Sequence, residues 1–252
     1  MIRSNFNGFR YEGGSAGHYE SYFQRANHPT RKLAFWIRYT LFAPKGRPRD
    51  AVGELWAIYF DGERKRITPV KVVVPYSRCL FSSWELNARI DESTLDSRSL
   101  RGGAEILGHS LAWDLEYTSS EEPLFLLPER LYDASFPKAK ALVGSPLARF
   151  TGSLVVDGER IAIDDWVGSQ NHNWGSKHTD EYAWGQVAGF DGSPNSFLEL
   201  STARVHLGPV KTPWLSPIVL RHEGQQYCWN ALSIAVRAKA SYDFFRWTFD
   251  SH

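Results

Sequence analysis

Cysteine is scarce in this chain, and the few histidines and cysteines do not fall at metal-ligand spacing. The 252 residues include only Cys79 and Cys228, far apart and in no CxxC pair. Each lies among apolar or aromatic neighbours, so we expect two buried free thiols. His172 and His178 are six residues apart, without a third ligand at a standard spacing. The sequence therefore predicts no bound metal, and nothing in it calls for a cofactor.

An excess of charge of either sign is also missing, as are long apolar runs. The chain has 29 Lys and Arg against 28 Asp and Glu, with no basic stripe, which argues against a nucleic-acid binder. The N-terminal residues 1–6 contain no apolar signal region, and no apolar run approaches membrane-spanning length. We expect a cytoplasmic protein that an apolar substrate could bring into peripheral contact with a membrane. The sequence does not indicate an oligomeric state.

Helical periodicity is rare, whereas alternating apolar runs separated by Gly, Pro, Asp and Asn recur along the chain. A short helix around 129–142 is compatible with the sequence but is limited by Pro128 and Pro137. The sequence therefore predicts a mostly-β protein. The predicted strands lie near 18–24, 32–42, 52–60, 66–74, 83–90, 105–118, 149–156, 159–164, 182–190, 196–205, 215–222, 226–237 and 241–250.

The strand series divides into two halves around a proline-containing connection at 119–148. Each half has about six or seven strands, roughly enough for a small barrel or calyx that holds one ligand. We therefore predict an N-terminal domain over 1–135 and a C-terminal domain over 136–252. Asp157-Gly158 between two alternating runs predicts a tight hairpin in the second half. The apolar strand predicted at 241–250 has no closing turn after it, so either it is an edge strand paired elsewhere or the second domain is incomplete at the C-terminus.

Aromatic residues are abundant, and they concentrate with polar groups in residues 164–191. The chain has 10 Trp, 11 Tyr and 15 Phe, which favours strands around an aromatic interior. Residues 168–180 are too polar for a core, and we predict a functional loop there. In the strand that follows, alternation places Tyr182, Trp184 and Gln186 on one face. Two aromatic side chains and an amide suit a pocket wall, although they would equally plug a barrel.

The same segment resembles a known family. Gln170-Asn171-His172-Asn173-Trp174-Gly175, followed by Tyr182-Ala183-Trp184-Gly185-Gln186, is similar to the central motif of the hydroxyneurosporene synthase (carotenoid 1,2-hydratase) and AttH-like superfamily, which tocopherol cyclases also resemble. The resemblance implies two lipocalin-like β domains, the second carrying the HNWG motif. It also implies protonation of an alkene in an isoprenoid-like or polyketide-like molecule, followed by water addition, ring closure or isomerisation. Weaker agreement comes from Glu20-Ser21-Tyr22-Phe23, 33–40, 54–57 and Trp113-Asp114-Leu115.

Alkene protonation requires a carboxyl group kept neutral by apolar burial, and aromatic faces to stabilise the cation. The resemblance places the acid on a strand shortly after the motif, where this chain has Phe197-Leu198-Glu199 in place of a Tyr-x-Asp. Glu199 is therefore the predicted acid, and an outward-facing Glu199 paired with a surface cation is the alternative. Asp180 is a second candidate, although its turn-like surroundings favour a solvated carboxylate. Trp174 and the aromatic residues of strand 182–188 would supply the faces.

Three other side chains complete the predicted site. His172 would orient or recharge the acid, since imidazole titrates near neutrality, or it would simply bind loop backbone. Trp36 and Arg38 alternate onto one face, where Arg38 could hold a ligand carboxylate or phosphate. A structural ion pair is the other interpretation of this arginine.

Three classes of function agree with these patterns. The first is a hydratase, cyclase or isomerase acting without a cofactor on a hydrophobic small molecule. The second is a carrier that encloses a lipid or pigment unchanged. The third is a sugar-binding β-sandwich, which the placement of most Trp residues in alternating apolar runs disfavours. A buried carboxyl group that faces the aromatic cavity would distinguish the enzyme from the carrier.

Overall fold

A computed structural model describes residues 5–207, 209–243 and 246–250, and most of these residues lie in β-strands. The mostly-β prediction is confirmed. The first strands are β1 (His18–Asn27), β2 (Leu33–Ala43), β3 (Val52–Asp61), β4 (Arg66–Pro75), β5 (Cys79–Phe81), β6 (Asn87–Ile90), β7 (Ser93–Asp96), β8 (Ser99–Ile106), β9 (His109–Thr118) and β10 (Leu124–Phe125). The later elements are β11 (Ala139–Val156), β12 (Glu159–Gly175), β13 (Glu181–Phe190), β14 (Ser193–Arg204), β15 (His206–Leu207), β16 (Val210–Lys211), β17 (Ile218–His222), β18 (Gln225–Trp229), α1 (Leu232–Ala235), β19 (Lys239–Tyr242) and β20 (Trp247–Asp250).

The first body is an antiparallel sheet that curls into a nearly closed, barrel-like structure. Its strands follow the order β4-β3-β2-β1-β12-β11-β9-β8-β7-β6-β5, with β10 attached to β11. Alternate residues of β2 and β3 point inward, including Phe35, Ile37, Tyr39 and Leu55, all almost fully buried. They pack in one hydrophobic core with Trp113 and residues of the other barrel strands. The opposite faces of β1 and β2 are left to contact other parts of the chain.

Two long strands, β11 and β12, close this sheet between β9 and β1. The predicted hairpin at Asp157-Gly158 is confirmed: Val156 pairs with Glu159, and both turn residues have positive φ, 50° and 85°. Aspartate and glycine tolerate that conformation better than most residues. The Asp157 carboxylate also accepts a hydrogen bond from the Ser110 amide at 2.9 Å. The hairpin joins β11 directly to the strand that carries the HNWG motif, and three register shifts interrupt their pairing before the motif is reached.

A second, four-stranded sheet has the order β13-β14-β17-β18. It packs against the outer side of the barrel through an apolar cluster in which Val143 of β11 meets Phe197 of β14 and Val219 of β17. Leu124 and Leu126 from the connection after β9 complete this cluster. The contact places one face of β14 opposite the outer surface of β1, β2 and β12.

Several predicted elements differ from the structure. Residues 168–175, expected in a loop, continue β12, because β1 and β11 supply hydrogen-bonding partners on both sides. The helix compatible with 129–142 is reduced to one 3-10 turn, Glu129–Leu131, before β11 begins. The strand predicted at 226–237 ends at Trp229 and is followed by α1. The strand predicted at 105–118 is the end of β8, a turn at Leu107-Gly108, and β9.

The C-terminal strand predicted at 241–250 is instead the hairpin of β19 and β20, in which Tyr242 pairs with Trp247. Residues 244–245 of that prediction lie outside the described residues. The two cysteines are free, but only Cys79 is buried; Cys228 is exposed on β18, contrary to expectation.

The domain boundary at 135/136 stays a prediction. The strands β11 and β12 follow it in sequence but pair with β9 and β1 of the first half, so sheet membership changes only between Gly175 and Glu181. Among the residues that the structure describes, no helix combines the length and apolar character needed to cross a bilayer.

Candidate functional site

Strand alternation divides the HNWG motif between the two faces of β12. Tyr22 of β1 is opposite His172, and Phe23 is opposite Asn171. Tyr22 belongs to the barrel core, whereas Phe23 lies on the outer face beside the second sheet. His172 and Trp174 therefore share the inner face, and Asn171 and Asn173 share the outer one. The motif serves two separate polar clusters.

The outer cluster is organised around Gln186 of β13. Its Oε1 accepts hydrogen bonds from Arg25 Nε and Ser169 Oγ, both at 2.6 Å. Because a guanidinium only donates, this contact fixes which end of the amide faces Arg25. The amide nitrogen Nε2 then donates to Asn171 Oδ1 at 2.8 Å and to Glu199 Oε2 at 2.7 Å. Gln186 thus connects the motif strand to Glu199.

Glu199 lies on β14 directly opposite Gln186 and is only 2 % exposed. Its second oxygen, Oε1, accepts a hydrogen bond from Trp184 Nε1 at 2.8 Å. Burial raises the pKa of Glu199 to about 7, although the hydrogen bonds from Trp184 and Gln186 and the charge of Arg25 act in the opposite direction. The carboxyl group can therefore carry a proton near neutral pH.

The two hydrogen-bonding partners of Glu199 are both donors. An indole N–H has no lone pair to offer, and the amide nitrogen of Gln186 is the donating end of that side chain. When Glu199 is protonated, neither partner can accept its O–H. The proton is therefore available to a molecule in the adjoining cavity.

A cavity of about 330 Å³ lies between the outer face of the barrel and the second sheet. Its walls include the aromatic residues Tyr19, Phe23, Trp36, Tyr182 and Trp184, with Glu199 and Arg38 among the polar groups. Tyr182 is 56 % exposed and Trp184 is 40 % exposed, so the cavity opens to solvent on that side. Its remaining walls are mostly apolar and include Leu126, Leu127, Leu131, Phe136, Pro137, Leu142, Leu215, Pro217 and Leu232.

The inner cluster pairs His172 with Glu20 rather than with Glu199. His172 Nε2 lies 2.8 Å from Glu20 Oε1, and Nδ1 lies 2.9 Å from the Phe6 carbonyl oxygen. His172 is fully buried, and burial lowers its pKa, with the Glu20 contact acting against that change. His172 borders the cavity, but both of its ring nitrogens are engaged by Glu20 and Phe6. The structure does not bring it together with the predicted acid.

Glu20 is the fully partnered member of this cluster. Burial alone would raise its pKa, but hydrogen bonds from His172, His18 and the Arg10 amide lower the pKa of Glu20 to about 2. The Arg10 amide donates to both carboxylate oxygens, at 3.1 and 2.9 Å. Glu20 is therefore a carboxylate throughout the physiological range.

The rest of the motif has structural contacts. The Arg10 guanidinium carbon lies 3.9 Å above the Trp174 ring, which packs with Tyr132 and Leu142 and does not line the cavity. At Gly175, an added Cβ would lie 2.1 Å from the Lys138 carbonyl oxygen, so only glycine allows this approach of β11. Gln186 likewise does not line the cavity, and its contribution to the site is the hydrogen bond that it donates to Glu199.

The remaining candidates divide clearly by location. Asp180, on the exposed turn before β13, forms an ion pair with Lys177 at 2.6 Å and does not line the cavity. Trp36 and Arg38 lie on the outer face of β2 and do line it. In the described part of the chain, no group of three His, Cys, Asp or Glu side chains is arranged to hold a metal ion.

Sequence reasoning missed several residues of this site. Ser169, Asn171 and Arg25 form hydrogen bonds with the Gln186 side chain. The sequence signal that could have identified them is the alternation of residues along β12 and β1, which places all three on the outer face. The connection after β9, which the sequence predicts as a linker, supplies an apolar wall through Leu126, Leu127 and Phe136. Which strand faces it depends on sheet packing that the local sequence does not encode.

Comparison with known proteins relates the chain to others by sequence and by fold. No protein-family model matches the chain. Two uncharacterized proteins of Mycobacterium tuberculosis, MT0513 of strain CDC 1551 / Oshkosh and Rv0493c of strain ATCC 25618 / H37Rv, are each 26 % identical over 196 residues. The match covers 77 % of this chain but only 55 % of each relative, so the chain spans about half of their length.

Solved structures give a stronger likeness. A putative AttH from Nitrosomonas europaea, NE1406, superposes with a TM-score of 0.65 at 14 % identity, over 95 % of this chain and 74 % of the other. CghA, solved with Sch210972, superposes with a TM-score of 0.51 at 14 % identity, over 91 % of this chain and 67 % of the other. At such identities the likeness concerns the fold alone. The chain therefore has a mostly-β, lipocalin-like fold similar to that of these two structures.

Proposed function

We propose that this protein binds a hydrophobic, alkene-containing small molecule in the cavity and that Glu199 protonates it. The observation that carries the proposal is a buried carboxyl group, with a pKa near 7, whose hydrogen-bonding partners in the described part of the chain are donors alone. Aromatic faces of Phe23, Trp36 and Trp184 line the same cavity, where they would stabilise a carbocation. Isoprenoid-like and polyketide-like molecules are the substrates that match this chemistry.

In the proposed step, the π electrons of the alkene form a C–H bond with the Glu199 proton. The adjacent carbon becomes a cation, and Glu199 becomes a carboxylate that keeps the hydrogen bonds from Trp184 and Gln186. Water adds to the cation and then loses a proton, which gives hydration, or the cation loses a neighbouring proton, which gives isomerisation. In cyclisation, a second double bond attacks the cation and closes a ring, and the new ring cation then loses a proton or takes up water. Each route returns one proton to Glu199, so all three reactions balance without a cofactor.

Incubation in D2O tests the proposal whichever of the three reactions occurs. A panel of polyprenyl and polyketide alkenes should gain a carbon-bound deuterium, which mass spectrometry detects in the hydrated, cyclised or isomerised product. Glu199→Gln keeps the shape of the side chain but lacks the proton, so incorporation should fall by roughly 10²-fold or more. Binding, followed by quenching of Trp fluorescence, should change little.

Glu116→Gln is the matched control, since Glu116 is exposed on β9, away from the cavity. Its incorporation rate should equal that of the unaltered protein. Saturable binding without deuterium incorporation would favour the carrier interpretation, and equal incorporation by the Glu199→Gln protein would exclude Glu199 as the acid.

A further inference from the structure

Arg38 is a cation in the cavity wall without an anionic partner among the described residues. It lies on the outer face of β2 and only one of its nitrogens, Nη2, makes a hydrogen bond there, to Ser21 Oγ at 2.6 Å. Its Nε is buried and has no hydrogen-bonding partner in the same part of the chain. Burial lowers the pKa of Arg38, against the effect of Glu54, Tyr182 and Tyr19. A guanidinium in such a position remains charged, so the missing partner is an anion.

The described residues do not supply that anion. Glu54 is the acidic residue with the largest influence on Arg38, but its oxygens accept from Lys71 Nζ and Trp56 Nε1, both at 3.0 Å. Tyr19, Tyr182 and His178 line the cavity and interact electrostatically with Arg38, and the rings of Tyr19 and His178 stack at 3.6 Å. This end of the cavity is therefore cationic and rich in hydrogen-bonding groups.

A row of aromatic rings leads from Arg38 to Glu199. The Arg38 guanidinium carbon lies 5.9 Å from the Trp36 ring centroid, and Phe23 lies 5.9 Å from Trp36. Phe23 also lies 5.9 Å from Trp184, edge to face, and Trp184 donates to Glu199. Arg38, this aromatic row and Glu199 thus follow one another along the cavity lining.

We propose that the ligand is an amphipathic molecule with a carboxylate, which Arg38 binds while the apolar body lies along the aromatic row towards Glu199. This inference rests on the proposed function and narrows its substrate class. A carboxylate matches the planar guanidinium, whose Nε and Nη1 donate to no described residue, and partial burial strengthens such charge-assisted hydrogen bonds. Anchoring one end would also position a distant double bond beside the acid.

Retinoic acid and retinol provide a matched pair of probes that differ at the head group. Titration of the full chain at pH 8, followed by quenching of Trp fluorescence, should give an affinity for the acid about 10-fold or more above that for the alcohol. Arg38→Gln should remove this preference by weakening acid binding alone, and Arg38→Lys should retain part of it. Arg49→Gln, on an exposed turn outside the cavity, should leave both affinities unchanged.

The outcomes separate this inference from the proposed function. Saturable binding of both probes with equal affinity would overturn the carboxylate assignment and leave the enclosed hydrophobic site intact. Absence of binding by either probe and by the alkene panel would count against the proposed function itself. Circular dichroism checks that the Arg38 variants fold; if they do not, the ratio of acid to alcohol affinity in the unaltered protein still decides the question.

Discussion

Two buried glutamates in this molecule have pKa values that are shifted in opposite directions. Glu20, in the barrel, is fully buried and has its pKa lowered to about 2, whereas Glu199, on the second sheet, is 2 % exposed and has its pKa raised to about 7. Burial disfavours the charged form of both. The difference comes from their partners: Glu20 contacts two histidines, the Arg10 amide and, at 3.8 Å, its guanidinium, while Glu199 contacts an indole and a neutral amide.

The comparison shows that burial alone does not make a carboxyl group a proton donor. Glu20 has so many donors and positive charges around it that it stays ionised, and its cluster holds the N-terminal segment against the barrel through Arg10 and Phe6. Glu199 has just enough donors to be satisfied and borders an open cavity. A buried carboxylate beside many donors and a guanidinium stays ionised, whereas one whose hydrogen-bonding partners are two neutral donors can hold a proton.

The largest expected effect comes from breaking the Glu20 cluster. Glu20→Ala leaves His172 and the Arg10 amide without their buried acceptor, so the free energy of unfolding should fall by about 3–5 kcal/mol. Urea denaturation measures this loss. Glu12→Ala, at an exposed position in the same N-terminal region, is the control and should change little. Comparable stability of the Glu20→Ala and Glu12→Ala proteins would show that the cluster is not structural.

The contributions of the two glutamates to the free energy of unfolding should change with pH in opposite directions. The pKa of Glu199 is raised in the folded state from an ordinary 4.5 to about 7, so its contribution to stability is full below pH 4.5 and is lost as pH rises through 7. Relative to Glu199→Gln, the unaltered protein should therefore lose on the order of 3 kcal/mol between these values. The contribution of Glu20, with its pKa lowered, is present above pH 4.5 and is lost as pH falls towards 2.

Denaturant titrations of both proteins at several pH values give this difference directly. A constant stability gap between the unaltered protein and Glu199→Gln from pH 4.5 to about 8.5 would mean that Glu199 titrates normally. The assignment of the proton-donating acid would then fail, even if the cavity binds ligands.

A smaller effect is expected from a substitution in the cavity wall. Trp184→Ala removes both an aromatic face and a donor to Glu199, so affinity for apolar probes should fall by about 10-fold, and deuterium incorporation should fall with it. Trp84→Ala is the matched control, since Trp84 is 84 % exposed and outside the cavity. If the two substitutions weaken binding equally, the probes bind outside this cavity.

The local sequence pattern predicted much of the fold. Two-residue alternation located β2, β3 and β4 within a residue or two, and Asp157-Gly158 located the hairpin between β11 and β12. Alternation failed over residues 168–175, because a polar strand looks like a loop in sequence. Only its pairing with β1 and β11 shows that it is a strand. Alternation failed again at α1, whose residues Leu232–Ala235 follow β18 with no glycine or proline between the two elements.

The sequence predicts the site as a set of residues but not as an arrangement. Trp184, Gln186 and Glu199 come together because β13 pairs with β14, a contact of neighbouring strands that alternation anticipates. His172 is expected beside them, yet it faces the barrel, because one residue of displacement along a strand exchanges its two faces. The sequence does not predict that Arg25 donates to Gln186 or that Phe23 lines the cavity, because both lie far away along the chain.

The sequence by itself determined most of the long strands, the tight hairpin and the chemical character of the site, because these follow from side-chain period and residue type within a short window. Only the tertiary structure decided that Glu20 is ionised and that Glu199 can hold a proton. A pKa depends on the charges and donors that packing brings within a few ångströms, and His172, Arg10, Trp184 and Gln186 reach the two carboxyl groups from strands and segments that only the folded chain makes adjacent.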